Sequence, residues 1–364
     1  MKDKDIMRKD KLKFAVVGCG RVSSNHLKAL TSGKIDGELV AVCDIDEKKA
    51  KAKSEEFKVP YYLDYNEMLK KHSEVDVVNV ATPTGYHARH VIDLAKYGRH
   101  IIVEKPMALR VEDCDAMMKA CTDNKCRLFV VKQNRFNSAV VAARKALDSG
   151  RFGKMVLGTV RARWKRVQSY YEQDNWHGTW ELDGGVMSQQ ASHHLDLLQW
   201  FMGPIETMQC ISATRLLDIE VEDTALASFK FKSGALGAYE ATVASRPEDL
   251  EASLSILGEK GTVIIGGFAV NKITHWKFEE TLPSDADMQK EASQEIPNVY
   301  GLGHGPYIAN VIDAIKNDKP AMVEGPEGKK NIQILTALYE SAALGGQQVY
   351  PGYPVKKSKL GRKE

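Results

Sequence analysis

Three short segments of this 364-residue chain carry side chains that could seat a nucleotide or move a proton. The first is Val16-Val17-Gly18-Cys19-Gly20-Arg21-Val22-Ser23. Gly18 permits a tight turn, and Gly20 lets the backbone come close to a pyrophosphate. A helix that starts there offers free N–H groups and the positive end of its dipole. Ser23 stands where a third glycine is usual, and it is small enough for helix and strand to pack closely. Asp44, 24 residues after Gly20, is spaced to accept hydrogen bonds from a ribose 2′-OH. Ile45 follows it, not an arginine that could meet a 2′-phosphate. The spacing predicts NAD rather than NADP.

The second segment is a pair, Ala81-Thr82-Pro83-Thr84-Gly85-Tyr86-His87 and Val103-Glu104-Lys105-Pro106. Pro106 biases Lys105 toward extended backbone. At a strand end, that would aim the ammonium into a cleft. The third runs Gly184-Gly185-Val186-Met187-Ser188-Gln189-Gln190-Ala191-Ser192-His193-His194-Leu195-Asp196. A neutral imidazole can take a hydroxyl proton near neutral pH. One of the two histidines is expected to be structural, and Asp196 to pair within the fold.

These groups need elements to hold them. Apolar runs at 12–17, 39–43, 76–81, 101–103 and 128–131 alternate with helical patterns at 22–30, 47–57, 86–97 and 111–124. Uninterrupted apolar strands between helices predict a parallel sheet covered on both faces. Ligands bind such sheets at the strands' carboxyl ends, where all three Rossmann-side segments fall. After a helix at 139–147 the pattern changes. A strand at 155–163, a helix at 193–201 and strands through 208–278 follow, with hairpin turns at 232–234 and 258–261. Residues 279–297 read as an exposed loop, and helices follow at 307–316 and 329–343. The fold class is therefore α/β: a Rossmann domain with a doubly wound parallel sheet over 12–133, then an α+β domain with a large, mostly antiparallel sheet over 134–355. The C-terminal helix is expected to pack back on the first domain. Residues 1–11 and 356–364 read as flexible tails.

Composition narrows the partners. Hydrophobic residues make up 43% and charged residues 27%, enough apolar content for two buried cores. The first 13 residues carry six basic and three acidic groups, and the last nine carry five and one. The body between them is mildly acidic, which argues against nucleic acid. No run approaches the ~20 apolar residues of a membrane span, and no secretory signal precedes the body. Six cysteines without a Cys-x-x-Cys pair read as free thiols. The expectation is a cytoplasmic protein with no structural metal.

Taken together, the Gly-x-Gly turn, Thr82-Pro83 with His87, Glu104-Lys105-Pro106 and the Gly-Gly…His-x-x-Asp segment resemble the glucose-fructose oxidoreductase / inositol dehydrogenase family over 12–349. The resemblance implies that Lys105 and His193 sit beside the nicotinamide and are catalytic. It implies cofactor contacts from Gly18, Gly20, Arg21, Val22, Asp44, Thr82, Pro83, Thr84, His87, Glu104, Lys105 and Gln133. Many members carry Asp four residues before that histidine. Gln189 stands there here, so the acid–base work is expected to fall on Lys105 and His193 alone.

Arg163-Trp164, Tyr170-Tyr171 and Trp176-His177-Gly178-Thr179-Trp180 resemble a subgroup that oxidises the 3-hydroxyl of UDP-N-acetylglucosaminuronic acid on the way to surface-polysaccharide (O-antigen) sugars. The substrate contacts then expected are Arg163, Tyr170, Tyr171, Trp176, Gln189 and His194, with Arg166 an alternative to Arg163 for a carboxylate or diphosphate. Some members of that subgroup reoxidise bound NADH with 2-oxoglutarate. The family implies a homo-dimer or homo-tetramer built on the second sheet. Two rivals stand beside this reading: another sugar or inositol dehydrogenase of the family, and a catalytically silent sensor of NAD and a sugar nucleotide.

Overall fold

The computed structural model describes residues 11–296 and 301–363. The expected lead-in tail lies, but for Lys11, outside the described residues. Chain order gives β1 (Leu12–Val17), α1 (Ser23–Thr31), β2 (Gly37–Cys43), α2 (Glu47–Phe57), β3 (Tyr61–Tyr62), α3 (Tyr65–Lys71), β4 (Val77–Val80), α4 (His87–Ala95), β5 (His100–Val103), α5 (Val111–Asp123) and β6 (Leu128–Val130). These six strands form one parallel sheet in the order β3-β2-β1-β4-β5-β6. All four residues of β4 are buried, as a strand covered on both faces requires. The neighbours β1, β4 and β5 end together, so the 18–20, 81–84 and 104–106 turns open onto one rim.

The chain continues with α6 (Ser138–Asp148), β7 (Met155–Arg163), α7 (Gln168–Tyr171), α8 (Ser192–Met202), β8 (Ile205–Ala213), β9 (Thr224–Phe231), β10 (Leu236–Thr242), β11 (Glu251–Gly258), β12 (Gly261–Gly266), β13 (Lys272–Phe278), α9 (Met288–Glu291), α10 (His304–Lys316) and α11 (Gly325–Ala343). The second sheet has seven strands in the order β13-β12-β11-β7-β10-β9-β8. It is antiparallel except where β7 meets β10. Helix α8 crosses β7 where Gly158 leaves room for Met202 and Leu198.

Two late elements tie the halves together. Tyr307, Ile308, Val311 and Ile312 of α10 pack with Leu27 of α1 and with Phe14 and Phe129 on the first sheet. α11 touches α5, β6, α8 and β8. The two cores therefore meet through helices contributed by the end of the chain.

Two expectations need correction. The 279–297 segment is not only loop: it contains α9 and a short 3-10 turn at Pro283–Asp285. Asp285 there takes hydrogen bonds from Arg151 and from Trp276 Nε1, which fixes the segment to β13. The C-terminal tail is not frayed. The amides of Lys357 and Ser358 donate to the Glu340 carboxylate, Leu360 is buried, and Gly361 N–H donates to the Trp180 carbonyl. Side-chain burial and paired amides outweigh the repulsion of its basic residues, which point outward.

Candidate active site

The β1–α1 turn is built for an anion. Gly18 adopts φ +99°, and a Cβ there would lie 2.5 Å from the Ala81 carbonyl oxygen. Only glycine lets β1 and the 81–84 turn meet this closely. Nothing lies within 4 Å of where a Cβ on Gly20 would be, so its backbone faces open space. Ser23 Oγ donates to the Gly20 carbonyl at 2.6 Å. No side chain caps α1, which leaves its first N–H groups for a ligand, with Arg21 and Val22 at its mouth. Asp44 is fixed by two amides, Cys19 N–H at 2.7 Å and Asp46 N–H at 2.9 Å. Ile45 beside it is 93% exposed and brings no charge. These residues fit a dinucleotide with an unphosphorylated ribose.

The second rim segment is held by His87, which lies between the Pro106 and Thr82 carbonyls at 2.9 Å each. Burial holds its imidazole below the usual value. A neutral imidazole carries one N–H, so His87 donates to one of these carbonyls while its ring lies between the two turns. Thr82 Oγ1 pairs with His90 Nδ1 at 2.9 Å. Pro83 carries the chain in extended backbone into the turn at Thr84. Glu104 turns away from the rim. Its carboxylate takes a 2.8 Å bond from His26 Nε2, the Lys105 N–H at 2.9 Å, and lies 3.5 Å from His304 Nε2. Burial alone would raise Glu104, but the two histidines more than offset it and hold the carboxyl well below the usual range. His26, Glu104 and His304 are metal-binding residue types with ligand atoms within 4.8 Å. Asn79 donates to His26 Nδ1, however, so the Nε2–H faces Glu104 and leaves no lone pair there for an ion.

Lys105 and His193 come together across the domain boundary. Lys105 Nζ donates to the Gln189 main-chain carbonyl at 2.8 Å. Burial lowers Lys105 below its usual value, against the charges of Glu104 and Asp183. His193 Nε2 lies 3.2 Å from Gln133 Nε2. Burial, then the charges of Lys105 and Lys132, hold His193 well below the usual imidazole value, so it is neutral. Gln189 donates from Nε2 to Thr84 Oγ1 at 2.9 Å, which ties the second domain to the rim.

The other expected substrate contacts divide. His194 is fully buried against Trp164, ring centroids 5.6 Å apart, with neither nitrogen hydrogen-bonded. It faces the core, because adjacent helical residues point ~100° apart. Arg163 lies on the sheet face opposite α8, paired with Glu240 and Glu251. It is not brought to the cleft. Arg166, by contrast, reaches over the Trp164 and Tyr170 rings. Tyr170, Tyr171 and His177 form an edge-to-face cluster, and Trp176 stacks on His177 at 3.7 Å. Arg21 links this cluster to the dinucleotide turn, donating to Gln173 at 2.8 Å and lying over Tyr170.

Three residues were missed from sequence. Arg135 makes a two-pronged bond to Asp196 at 2.8 Å, with Lys132 3.7 Å from the same carboxylate; all three are buried and anchor the helix carrying His193. Asp183 is the third, a buried carboxyl whose burial raises it well above its usual value.

A dinucleotide turn and a buried lysine on one rim, with a neutral histidine from the second domain, define an NAD-dependent oxidoreductase. Comparison with known proteins names the family. Residues 12–132 match the model of the oxidoreductase family's NAD-binding Rossmann fold, and 144–349 match its C-terminal alpha/beta domain. The chain belongs to this Gfo/Idh/MocA family. It is 42% identical to the WlbA dehydrogenase of Bordetella pertussis, solved with NADH and UDP-GlcNAcA, with TM-score 0.89 over 94% of this chain and 98% of that one. The WlbA dehydrogenase of Chromobacterium violaceum, solved with the same two ligands, is 41% identical, with TM-score 0.87 over 94% and 96%. An inositol 2-dehydrogenase of Rhizobium meliloti is 28% identical over 216 residues, 58% of this chain and 61% of that enzyme. Among the described residues no helix is long and apolar enough to cross a membrane.

Proposed function

We propose that this chain oxidises the 3-hydroxyl of UDP-N-acetylglucosaminuronic acid to the 3-keto sugar, in the making of surface-polysaccharide sugars such as those of O-antigen. One observation carries the substrate: a structure that holds NADH and UDP-GlcNAcA is 42% identical to this chain over nearly its full length. Arg166 over the Tyr170 ring, with Trp176 close by on His177, supports the reading, since aromatic rings suit a base or sugar face and a guanidinium suits a diphosphate or carboxylate.

NAD, when bound, supplies the hydride acceptor. Burial lowers both groups, Lys105 from the higher ordinary value, and in this reading Lys105 is the base. Its Nζ takes the hydroxyl proton while staying tied to the Gln189 carbonyl. His193, on the Gln133 side, orients the hydroxyl. The ammonium formed on Lys105 stabilises negative charge building on oxygen.

The test is NADH formation by the purified protein on UDP-GlcNAcA against UDP-GlcNAc, free hexoses and myo-inositol. Turnover on the uronic acid nucleotide is expected. Turnover on free sugars or inositol alone would transfer the reading to the rival dehydrogenase. Lys105→Met should keep NADH binding, read by fluorescence, and lose about 10²-fold or more in turnover. Binding of both ligands without NADH formation would identify a sensor. Loss of the NADH signal on adding 2-oxoglutarate would extend the reaction to reoxidation in place.

A further inference from the structure

The acceptor that holds Lys105 is a main-chain carbonyl, and the bonds behind it lead out of the cleft in a single line. Lys105 Nζ donates to Gln189 O at 2.8 Å. The Gln189 N–H donates to Gly185 O at 3.0 Å, and the Gly185 N–H donates to the Tyr339 hydroxyl at 2.9 Å. The Tyr339 O–H donates in turn to Glu222 Oε1 at 2.9 Å. Four hydrogen bonds thus join the lysine to a buried carboxyl group, and each donor faces the Glu222 end. Hydrogen bonds aligned in this way strengthen one another.

The loop in the middle is pressed onto its two anchors. A Cβ on Gly185 would lie 2.2 Å from Glu222 O and 2.3 Å from Glu222 Oε2, so a side chain has no place there. The Val186 N–H donates to Glu222 O at 3.1 Å, and the Met187 N–H to Glu222 Oε1 at 2.9 Å. Tyr339 comes from α11 and Glu222 from the segment just before β9, and both are 3% exposed. At the cleft end, Gln189 Nε2 donates to Thr84 Oγ1 at 2.9 Å. The amide, side chain and carbonyl of Gln189 are therefore all engaged. Its carbonyl also takes Ser192 Oγ, at a looser 3.4 Å.

We propose that Tyr339 and Glu222 are positioning residues that aim Lys105 at the substrate hydroxyl, acting through Gly185 and the Gln189 carbonyl. The inference rests on the dehydrogenase reading above. In the step it serves, the O–H bond breaks and its proton bonds to Lys105 Nζ. The C–H electron pair leaves as hydride and reduces NAD+ to NADH, and the C=O bond forms. Neither Tyr339 nor Glu222 exchanges a bond with the sugar. A neutral amine takes the proton on its lone pair. With one of its N–H groups held by a fixed carbonyl, fewer directions remain for that lone pair. Where the carbonyl is free to shift, the amine turns with it, and a small misplacement of a reacting group costs up to about 10²-fold in rate.

The deciding variant is Tyr339→Phe, which removes the hydroxyl and keeps the ring edge-on to Trp180, centroids 5.8 Å apart. With active sites counted by NADH fluorescence, kcat on UDP-GlcNAcA should fall about tenfold or more while the KM for NAD stays in place. The second readout is NMR of protein carrying 13C at lysine Cε, with the Lys105 signal assigned by its loss in Lys105→Met. In Tyr339→Phe that signal should leave its native position while the other lysine signals keep theirs. A native kcat or an unmoved Lys105 signal in the folded variant overturns the proposal. Should Tyr339→Phe fail to fold, Glu222→Gln and Glu222→Leu decide. Glutamine keeps an acceptor oxygen for Tyr339 and leucine does not. The glutamine variant should therefore have the higher kcat, by about tenfold, and the Lys105 signal nearer its native position. Equal values in the two overturn the proposal. The NMR readout needs no substrate. A protein silent on UDP-GlcNAcA whose Lys105 signal still moves sinks the substrate reading and leaves this one standing.

Discussion

At the scale of single residues, burial sets the chemistry, and it does so away from the cleft too. Glu222 is 3% exposed, accepting the Met187 N–H and the Tyr339 O–H at 2.9 Å each. Burial raises its carboxyl to about 7, against those two hydrogen bonds. An acid whose folded value lies above its unfolded one holds its proton longer in the native state. Its contribution to stability is therefore full below the unfolded value and is lost as pH rises through the folded one. Glu222→Gln keeps the shape and an acceptor oxygen but cannot ionise. Measured by urea unfolding, it should match the native protein at pH 4.5 and exceed it by about 1–3 kcal/mol at pH 8. Equal stability at pH 8 would show that Glu222 ionises without cost. None of this was legible in the sequence, where Glu222 stands beside Asp223 in a polar stretch. Lys105 and Asp44 were legible, because each sits at a fixed offset from an apolar strand. Asp183 was not, since the 169–183 stretch has no period to say which side chains turn inward. The His193–His194 pair shows the same limit at finer grain. Residue types alone leave the two alike; the resemblance points to His193, and the packing of α8 turns His194 onto Trp164.

At the scale of elements, the site depends on parts that look peripheral in the chain. The C-terminal strap is the clearest. Leu360 packs against Gly184, next to Asp183, and Gly361 lies against Leu109 and Arg110 just beyond the Glu104-Lys105-Pro106 turn. One short segment therefore touches both walls of the cleft. Five basic residues and no periodicity gave it the signature of a solvated end. Composition cannot report that two of its amides will be met by a glutamate from α11. Leu360→Ala should cost about 2 kcal/mol or more, as loss of a buried leucine does. It should also lower turnover more than it weakens NAD binding, because what it loosens is the Asp183 wall and not the Gly18–Gly20 turn. Thermal melts and a kcat-against-KM split measure the two effects. A stability loss with native kcat would confine the strap to stability. The central strands, by contrast, were legible to within two residues. A continuous apolar run between helices has few alternatives, whereas β3, at two residues, is too short to leave a pattern.

At the scale of the whole molecule, the second sheet has one face unlike the other. Helix α8 covers the face of Gly158, Val160 and Ala162. The opposite face carries Arg161 and Arg163 paired with Glu240 and Glu251, flanked by apolar residues in the open. Ile211 is 59% exposed and Leu226 47%, and the register of β8 on β9 sets them directly opposite each other. Leu236, on the same face of β10 as Glu240, adds to the patch. Exposed apolar residues this concentrated on a sheet mark a surface that another protein covers. A second copy is the occupant we propose, since a two-fold axis would let the acidic and basic side chains of the face meet their own counterparts. That one face of these strands turns outward was legible in the alternation at 226–229 and 236–239. Which residues form its centre was not, because that depends on the register between strands. Ile211→Lys with Leu226→Lys would place two positive charges side by side in that centre. Size-exclusion chromatography with light scattering should find the native chain at a multiple of its 40.5 kDa and the double variant at 40.5 kDa. Strand pairing and the face toward α8 are untouched by the exchange, so NADH binding should persist in the monomer. A native chain that already runs at 40.5 kDa across micromolar concentrations would leave the face to some other partner.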